Sequence, residues 1–188
     1  MVKNNIRKSL LRQGQLLSTE FVQKSNQIIQ STAIKELKIN EAENILLYFP
    51  FKFEISVNLI INEINKHTKI YMPKILSRKE MKFNLMDNKS YLKKNKYGIN
   101  EINNKKYIDP LSLDIMLIPF VGVDKGGYRL GYGGGYFDRA LKHIKNLEQR
   151  PKIIGLGYDY QIFNGDFAED HDIKYDVVIT EKNIISFS

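Results

Sequence analysis

The sequence contains no cysteine and only three histidines. The absence of cysteine excludes disulfide bonds, thiolate metal sites and a cysteine nucleophile. His67, His143 and His171 are too far apart in the sequence to form a local metal-binding motif. The sequence also lacks any run approaching the roughly 20 apolar residues that a membrane-spanning helix needs, so we expect no contact with a membrane.

Acidic residues are the minority charge, because 21 Asp and Glu stand against 29 Lys and Arg, giving a formal net charge of +8. Such an excess favours a polyanionic partner, and nucleic acid is the first to consider. The lysines are spread along the whole chain, however, and no helix-turn-helix, zinc-finger or RNA-recognition signature accompanies them. We therefore predict a small anionic ligand and no nucleic-acid partner, and we interpret the lysine-rich stretch 88–107 as a solvated excursion.

A length of 188 residues with 43% hydrophobic residues suits one globular domain spanning 1–188. The start of the chain is basic, but charges interrupt its apolar residues and no small-residue cleavage site follows. This is not the pattern of a signal peptide. We expect a cytoplasmic protein that is a monomer.

Short apolar runs alternate with amphipathic stretches along the chain. The predicted strands are 44–49, 69–73, 81–86, 113–120, 152–158 and 175–180, and the predicted helices run from a Ser18 cap to Leu37, from a Ser56 cap to 67, and from Tyr136 to Leu147. We expect Pro73 to stop the second strand. Buried strands separated by helices predict an α/β fold, a single three-layer α/β/α domain with a mainly parallel central sheet.

Six of the 12 glycines stand between 126 and 135, within the segment "GGYRLGYGGGYFDRAL" at 126–141. This segment follows a predicted buried strand and precedes a predicted helix, the position where open α/β sheets bind ligands. Glycines there let backbone amides approach an anion, and the helix amino terminus adds partial positive charge, so phosphate is the expected ligand. The alternative is a turn that needs glycine only for tight packing.

The established phosphate motifs do not fit this segment. Gly126 and Gly131 have the outer spacing of a P-loop, but Tyr132 stands where the lysine of that motif belongs. The G-x-G-x-x-G pattern is also absent. Any phosphate chemistry here therefore uses a different loop.

The longer segment "LIPFVGVDKGGYRLGYGGGYFDRAL" resembles the signature of 5-formyltetrahydrofolate cyclo-ligases, also called methenyltetrahydrofolate synthetases, in their bacterial form. Further elements follow in family order, namely "KNNIR" at 3–7, Glu54, "YGINE" at 97–101 and "HDIKYDVVITE" at 171–181. The resemblance implies conversion of 5-formyltetrahydrofolate to 5,10-methenyltetrahydrofolate in a reaction that consumes ATP and requires Mg²⁺. Two rival hypotheses stay open: a sugar-phosphate isomerase on a similar fold, which needs no ATP, and a basic nucleic-acid-binding protein.

The resemblance also implies roles for individual residues. ATP is assigned to Lys3, Arg7, Arg129, Leu130, Gly131, Tyr132, Gly133, Gly134, Gly135, Tyr136 and Phe137. The folate is assigned to Phe49, Glu54, Tyr97, Tyr132 and Tyr136. Arg129 and Asp138 are the expected catalytic residues, and Asp138 and Asp176 the expected magnesium ligands.

Each assignment has a plainer alternative. Lys3 and Arg7 suit a frayed basic terminus, and Arg129 suits a surface position. Asp138 also fits a helix cap and Asp176 a strand-end residue. Plain core packing is the alternative for the aromatic residues, Phe49 above all.

Three residues depart from the family pattern. Gly134 stands where some members have lysine, so one cation near the phosphate is missing. Ile102 replaces a usual proline, and Tyr97 replaces a tryptophan and offers a smaller stacking surface. None of these positions is a magnesium candidate.

Overall fold

The computed structural model describes residues 2–87 and 91–187. Its helices are α1 (Val2–Gln15), α2 (Thr19–Glu36), α3 (Asn58–Glu63) and α4 (Tyr136–Ala140). Its strands are β1 (Asn44–Leu46), β2 (Lys69–Ile75), β3 (Met81–Met86), β4 (Leu92–Lys94), β5 (Asn100–Ile102), β6 (Tyr107–Ile108), β7 (Ile115–Leu117), β8 (Gly122–Val123), β9 (Arg129–Leu130), β10 (Lys152–Leu156), β11 (Val177–Ile179) and β12 (Ile184–Ser186).

Eight of these strands form the central sheet, in the order β12-β11-β10-β7-β1-β2-β3-β6. The five strands β11, β10, β7, β1 and β2 run parallel to one another. Strand β12 pairs antiparallel at one side, and β3 pairs antiparallel with both β2 and β6 at the other. The prediction of a mainly parallel sheet is confirmed.

Helices cover both faces of the sheet, as the side chains of β1 illustrate. Ile45 and Leu47 point to the face where they pack with residues of α2 and α3, whereas Leu46 points to the opposite face, where α4 packs. Successive strand residues face opposite sides, so a strand covered on both faces must be apolar throughout. The run of apolar residues in this strand therefore follows from the three-layer arrangement.

The predicted β-α-β unit forms, because β1 and β2 are parallel and α3 lies between them. Two of its predicted boundaries were wrong. The cap of α3 is Val57, and the hydroxyl of Ser56 accepts only a 3.3 Å hydrogen bond from Asn58 N. Strand β2 continues through Pro73 to Ile75, because β1 ends opposite Tyr71 and the last part of β2 needs backbone hydrogen bonds only toward β3.

Helix α2 begins as predicted, and Ser18 accepts a 3.2 Å hydrogen bond from Phe21 N. Helix α4 is shorter than predicted, since it ends at Ala140 and successive turns follow. Beyond Ala140 the chain continues in turns, with a hydrogen bond from Ile144 N to the carbonyl of Leu141, and both Leu141 and Ile144 stay buried.

The stretch predicted to be a solvated excursion contains structure. Strands β4 and β5 form an antiparallel hairpin, β6 joins the central sheet, and Ile102 in β5 is fully buried. Residues 88–90 lie outside the described part of the chain. No helix within 2–87 or 91–187 has the length and apolar character to cross a membrane.

Candidate functional site

A cavity of about 550 Å³ opens at the carboxyl edge of the parallel strands. Its walls come from the segments that follow β1 and β7, the tip of the β4–β5 hairpin, the amino-terminal part of α1, and residues 131–135, called the glycine loop below. The predicted site residues that line it are Lys3, Arg7, Phe49, Glu54, Tyr97, Arg129, Leu130, Gly131, Tyr132, Gly133, Gly134, Gly135, Tyr136, Phe137 and Asp138. Segments far apart in the sequence thus meet at one place.

Arg129 lies in the wall of this cavity and is only 8% exposed, which excludes the surface position considered from the sequence. Its Nε donates a 2.8 Å hydrogen bond to the carbonyl of Pro119, the residue that follows β7 closely. Its guanidinium lies 5.2 Å from the ring centre of Phe137 and 3.6 Å from a carboxylate oxygen of Asp138. A buried guanidinium with fixed donors is suited to bind a bidentate anion such as a phosphate.

Backbone conformation and close contacts require glycine at several positions of the glycine loop. Gly133 and Gly135 have φ values of +95° and +61°, which L side chains rarely adopt. A Cβ at Gly131 would lie 2.7 Å from both terminal nitrogens of Arg129. Helix α4 is barely more than one turn long, so its contribution to anion binding is small and the loop amides must supply the donors instead.

Two residues of α1 reach the cavity, so this segment is an ordered helix and not a frayed terminus. Arg7 donates through Nε to the carbonyl of Gly131 at 2.7 Å, and partial burial lowers its pKa, with a further lowering from Arg129. The Nζ of Lys3 donates to Asp172 at 2.6 Å. The side chains of Lys3 and Arg7 thus stand one turn apart on one face of α1, as their spacing predicts.

Glu54 is held beside the aromatic wall of the cavity. Its Oε2 accepts a 2.7 Å hydrogen bond from Phe51 N. Burial raises the pKa of Glu54 to about 7, although the Phe51 hydrogen bond and the charge of Arg129 oppose the rise. Neighbouring Tyr132 packs edge-on against Phe51, with ring centres 5.3 Å apart, and burial raises the pKa of its phenol above the ordinary value.

Tyr97 stands at the tip of the β4–β5 hairpin, on the opposite wall. Its hydroxyl lies 3.1 Å from that of Tyr136, and the two rings meet edge to face. Tyr97 is 46% exposed and lines the cavity, and the Nζ of Lys96 lies 4.9 Å from the centre of its ring. Phe49, by contrast, is partly buried and packs against the hydrophobic core while still lining the cavity, which keeps both of its predicted roles open.

Asp138 is not the cap of α4, because that position belongs to Gly135 and Asp138 stands inside the first turn. Its Oδ1 is buried and has no hydrogen-bond partner among the described residues. A buried carboxylate oxygen without a partner is costly, which suggests a ligand that supplies the missing contact. Among the described residues, no group of three or more His, Asp or Glu side chains forms a metal cage. Mg²⁺ fits such a site, because it keeps several waters and needs only one or two carboxylates.

Asp176 does not line the cavity that Asp138 lines, so the geometry of the described residues gives no support to the prediction that the two carboxylates meet beside the loop. Asp176 immediately precedes β11, at the amino edge of the sheet, whereas the cavity lies at the carboxyl edge. Both of its carboxylate oxygens accept hydrogen bonds from Arg150 at 2.7 Å, and one also accepts from Ile153 N. The strand-end interpretation of Asp176 agrees with this structure.

Sequence reasoning missed one buried carboxylate in the cavity wall. Asp172 accepts hydrogen bonds from Lys3 at 2.6 Å and from Glu169 N at 2.7 Å, and its side chain is 7% exposed. The only signal in the sequence was its place within "HDIKYDVVITE". Its contact with Lys3 depends on two segments 169 positions apart, which no local pattern connects.

The fold and the cavity define the chain as an α/β protein whose ligand site lies between a glycine loop, a buried arginine and an aromatic wall. Residues 1–181 match the model of the 5-formyltetrahydrofolate cyclo-ligase family. The chain belongs to this family and is an enzyme.

Several relatives agree with this assignment. The chain is 33% identical over 187 residues to the 5-formyltetrahydrofolate cyclo-ligase of Mycoplasma pneumoniae, covering 97% of this chain and all of the relative, and 32% identical to that of Haemophilus influenzae, covering 82% and 85%. The solved structure of Aquifex aeolicus 5,10-methenyltetrahydrofolate synthetase superimposes with a TM-score of 0.85 at 28% identity, covering 99% and 93% of the two chains. The solved Mycoplasma pneumoniae synthetase gives a TM-score of 0.72 at 32% identity, covering 96% and 99%.

Replacing Asp176 by asparagine is expected to lower stability, because it breaks the two-point ion pair with partly buried Arg150. We expect a loss of about 1–2 kcal/mol in the free energy of unfolding, measured by urea denaturation. Asp166→Asn is the matched control, since the ion pair of Asp166 with Lys125 is exposed on both sides and should contribute less than about 1 kcal/mol. Equal, small losses in the two variants would contradict the structural role of Asp176.

Glu54→Gln is expected to change the pH dependence of stability. The pKa of about 7 in the folded state lies above the roughly 4.3 of a glutamate in the unfolded state, so the folded protein keeps this proton to a higher pH. Stability from this group is therefore present below about pH 4 and lost as the pH rises through about 7. We expect wild-type protein to lose roughly 1–3 kcal/mol relative to the variant between about pH 5 and pH 8. Parallel curves of unfolding free energy against pH would exclude a raised pKa.

Proposed function

We propose that the chain converts 5-formyltetrahydrofolate to 5,10-methenyltetrahydrofolate in a reaction that consumes ATP, requires Mg²⁺ and releases ADP and phosphate. One observation carries the proposal. Every residue that the sequence assigned to ATP or to the folate lines a single cavity, although these residues come from four separate parts of the chain. Family membership of residues 1–181 supports the same reaction and favours it over the two rival functions.

The ATP phosphates are expected on the side of the cavity formed by the glycine loop and α1. Arg129 and Arg7 bring two guanidinium groups to this side, close enough that the charge of Arg129 lowers the pKa of Arg7. Two like charges held together cost free energy unless an anion lies between or beside them. A triphosphate supplies that anion.

The folate is expected between the aromatic wall and the hairpin tip. The ring of Tyr97 can stack on the pterin, and Glu54 can accept hydrogen bonds from its amino groups. Because the pKa of Glu54 is about 7, its carboxyl can also donate a hydrogen bond when it is protonated. The pterin thus meets a group that can present either an acceptor or a donor near neutral pH.

In the proposed reaction the formyl oxygen attacks the terminal phosphorus of ATP, and ADP leaves. The neighbouring folate nitrogen then attacks the formyl carbon and loses its proton, and the carbon–oxygen bond breaks as phosphate leaves and takes up that proton. The protein must hold the formyl oxygen in line with the terminal phosphate and neutralise its charge, which is positioning and electrostatics more than acid–base chemistry. Arg129 is the buried cation placed for this task.

Asp138 is the residue that would hold Mg²⁺, through its unpartnered Oδ1. When bound, Mg²⁺ would neutralise charge on the transferring phosphate. Asp176 is no longer proposed as a ligand. The cytoplasmic location, the monomeric state, the single-domain organisation and the absence of a nucleic-acid partner stay predictions from the sequence.

The direct test is an absorbance measurement. Methenyltetrahydrofolate absorbs in the near ultraviolet, where the formyl substrate does not. We expect the absorbance band to grow when protein, 5-formyltetrahydrofolate, ATP and Mg²⁺ are combined, and not when ATP is omitted. A flat trace with folded protein would refute the proposed function, and growth without ATP would refute the phosphorylation step.

Asp138→Asn tests the metal assignment. The variant keeps the shape of the side chain but removes a charge from the expected coordination of Mg²⁺, so turnover should fall by a factor of roughly 100 or more and recover only partly at high Mg²⁺. The melting temperature without ligands should fall only modestly, because Oδ1 makes no hydrogen bond within the described residues and the 3.6 Å contact of Oδ2 with Arg129 loses its charge but not its polar partner. Asp176→Asn is the control, and its turnover should depend on Mg²⁺ concentration in the same way as that of wild type. Near-normal turnover of Asp138→Asn at low Mg²⁺ would exclude it as a ligand.

Tyr97 variants separate stacking from hydrogen bonding. Tyr97→Phe keeps the ring and loses the contacts of the hydroxyl with Tyr136 and Lys96, whereas Tyr97→Ala loses the ring. We expect Tyr97→Ala to raise the KM for folate by a factor of about 2–13, the equivalent of 0.5–1.5 kcal/mol, with the KM for ATP nearly unchanged. Tyr97→Phe and the exposed control Tyr91→Ala should resemble wild type. Equal increases in both KM values would mean that Tyr97 supports the fold instead.

A further inference from the structure

The tip of the β4–β5 hairpin, residues 95–99, carries Tyr97 to the cavity with little apolar packing of its own. All three residues of β4 and residues 96–98 of the tip are exposed, and the buried residue Ile102 stands at the far end of β5. A segment with few buried apolar contacts is mobile unless other contacts hold it. The position of the tip therefore depends on its hydrogen bonds.

Asn95 holds the backbone of this tip. Its side-chain oxygen accepts hydrogen bonds from Tyr97 N at 2.9 Å and from Ile99 N at 3.2 Å, and its carbonyl accepts one from Gly98 N at 3.0 Å. Asparagine is suited to such a turn, because its side-chain oxygen can accept from backbone N–H groups further along the chain. One residue thus accepts from three consecutive N–H groups and fixes the point at which the side chain of Tyr97 leaves the backbone.

Glu101 links the turn at Asn95 to the central sheet. Its Oε1 accepts a 2.9 Å hydrogen bond from Nδ2 of Asn95 and another of 2.9 Å from Ile75 N, at the last residue of β2. Both Asn95 and Glu101 line the cavity. A continuous path of hydrogen bonds therefore runs from β2 through Glu101 and Asn95 to the backbone of Tyr97.

We propose that Asn95 and Glu101 are positioning residues for the folate, which together hold the hairpin tip so that Tyr97 stays in the wall of the cavity. The inference rests on the proposed function, because folate is the ligand proposed for Tyr97. There are two competing explanations. The carboxylate of Glu101 contacts a ligand directly, or the turn stabilises the fold without affecting the site.

Removal of either side chain tests the positioning role. Asn95→Ala loses the oxygen that accepts from Tyr97 N, and Glu101→Ala loses the link to β2. We expect each variant to raise the KM for folate by a factor of about 2–13, no more than Tyr97→Ala itself does, with the KM for ATP changed less than about twofold. Asn103→Ala is the matched control and should equal wild type, because Asn103 is an exposed asparagine just beyond β5. An unchanged KM for folate in either of the first two variants overturns the proposal.

Glu101→Gln separates positioning from direct contact with a ligand. Glutamine keeps a side-chain oxygen that can accept from Ile75 N and from Asn95, but it removes the negative charge. We therefore expect a KM for folate within about twofold of the wild-type value. A rise as large as that of Glu101→Ala would show that the charged carboxylate itself is required, and the positioning role would then be wrong.

A double-mutant cycle shows whether Asn95 acts through Tyr97. If it does, Asn95→Ala should change the KM for folate by less than about twofold once Tyr97→Ala is already in place. Effects that simply multiply in the double variant would mean that Asn95 acts elsewhere, and they overturn the proposal. A normal KM for folate in Tyr97→Ala also overturns it, because Asn95 and Glu101 would then have no ligand-binding group to position.

A second measurement follows the hairpin tip without any ligand. The sequence contains no tryptophan, so Tyr97→Trp places a single fluorescent reporter at the tip. In this background we expect Asn95→Ala to increase the local motion of the reporter, measured by time-resolved fluorescence anisotropy, and Asn103→Ala to leave that motion unchanged. Equal motion in the two variants contradicts the proposal.

Failure of the proposed function can be told apart from failure of this inference. Melting curves without ligands show whether each variant is folded. If folded wild-type protein forms no methenyl product, the proposed function itself fails, and with it the folate role of Asn95 and Glu101. If wild type is active and the folded alanine variants keep the wild-type KM for folate, only the positioning role fails.

Discussion

The buried guanidinium of Arg129 is the interaction on which the site depends. It hydrogen-bonds the carbonyl of Pro119 beyond β7, packs on Phe137 of α4, and lies 3.6 Å from Asp138. A buried charge is costly unless it is held by well-placed partners. Those partners are the segments that form the cavity, so satisfying the arginine and assembling the site are one structural requirement.

The glycine loop follows from the same requirement. Gly131 leaves room for the terminal nitrogens of Arg129, and the carbonyl of Gly131 accepts the hydrogen bond from Arg7. Residues with positive φ then carry the chain into α4 without covering the cavity. The loop therefore differs from a P-loop in sequence, because Tyr132 stands at the lysine position and the cations beside the loop are guanidinium groups.

Opposite walls of the cavity have different electrostatic characters. The side of Arg7 and Arg129 is cationic and suits phosphate, whereas the aromatic side carries Glu54 with its pKa near 7. Burial produces both shifts, lowering the pKa of a cation and raising that of a carboxyl. One desolvated cavity thus presents two walls of different charge, which suit the two chemically distinct ligands proposed for it.

The sequence by itself determined the layer architecture, since apolar strands separated by amphipathic helices bury both faces of a sheet. Its ordered motif also predicted residues that share one cavity, since every residue assigned to ATP or folate lines it. Only the tertiary structure decided where the two aspartates lie and what they contact, because the spacing of residues along the sequence does not show which of them become neighbours in the fold. Asp138 has an unpartnered oxygen in the cavity wall, whereas Asp176 is bound by Arg150 at the opposite edge of the sheet. The pairing of Lys3 with Asp172 likewise depends on contacts between the two ends of the chain, which form only when the sheet brings them together.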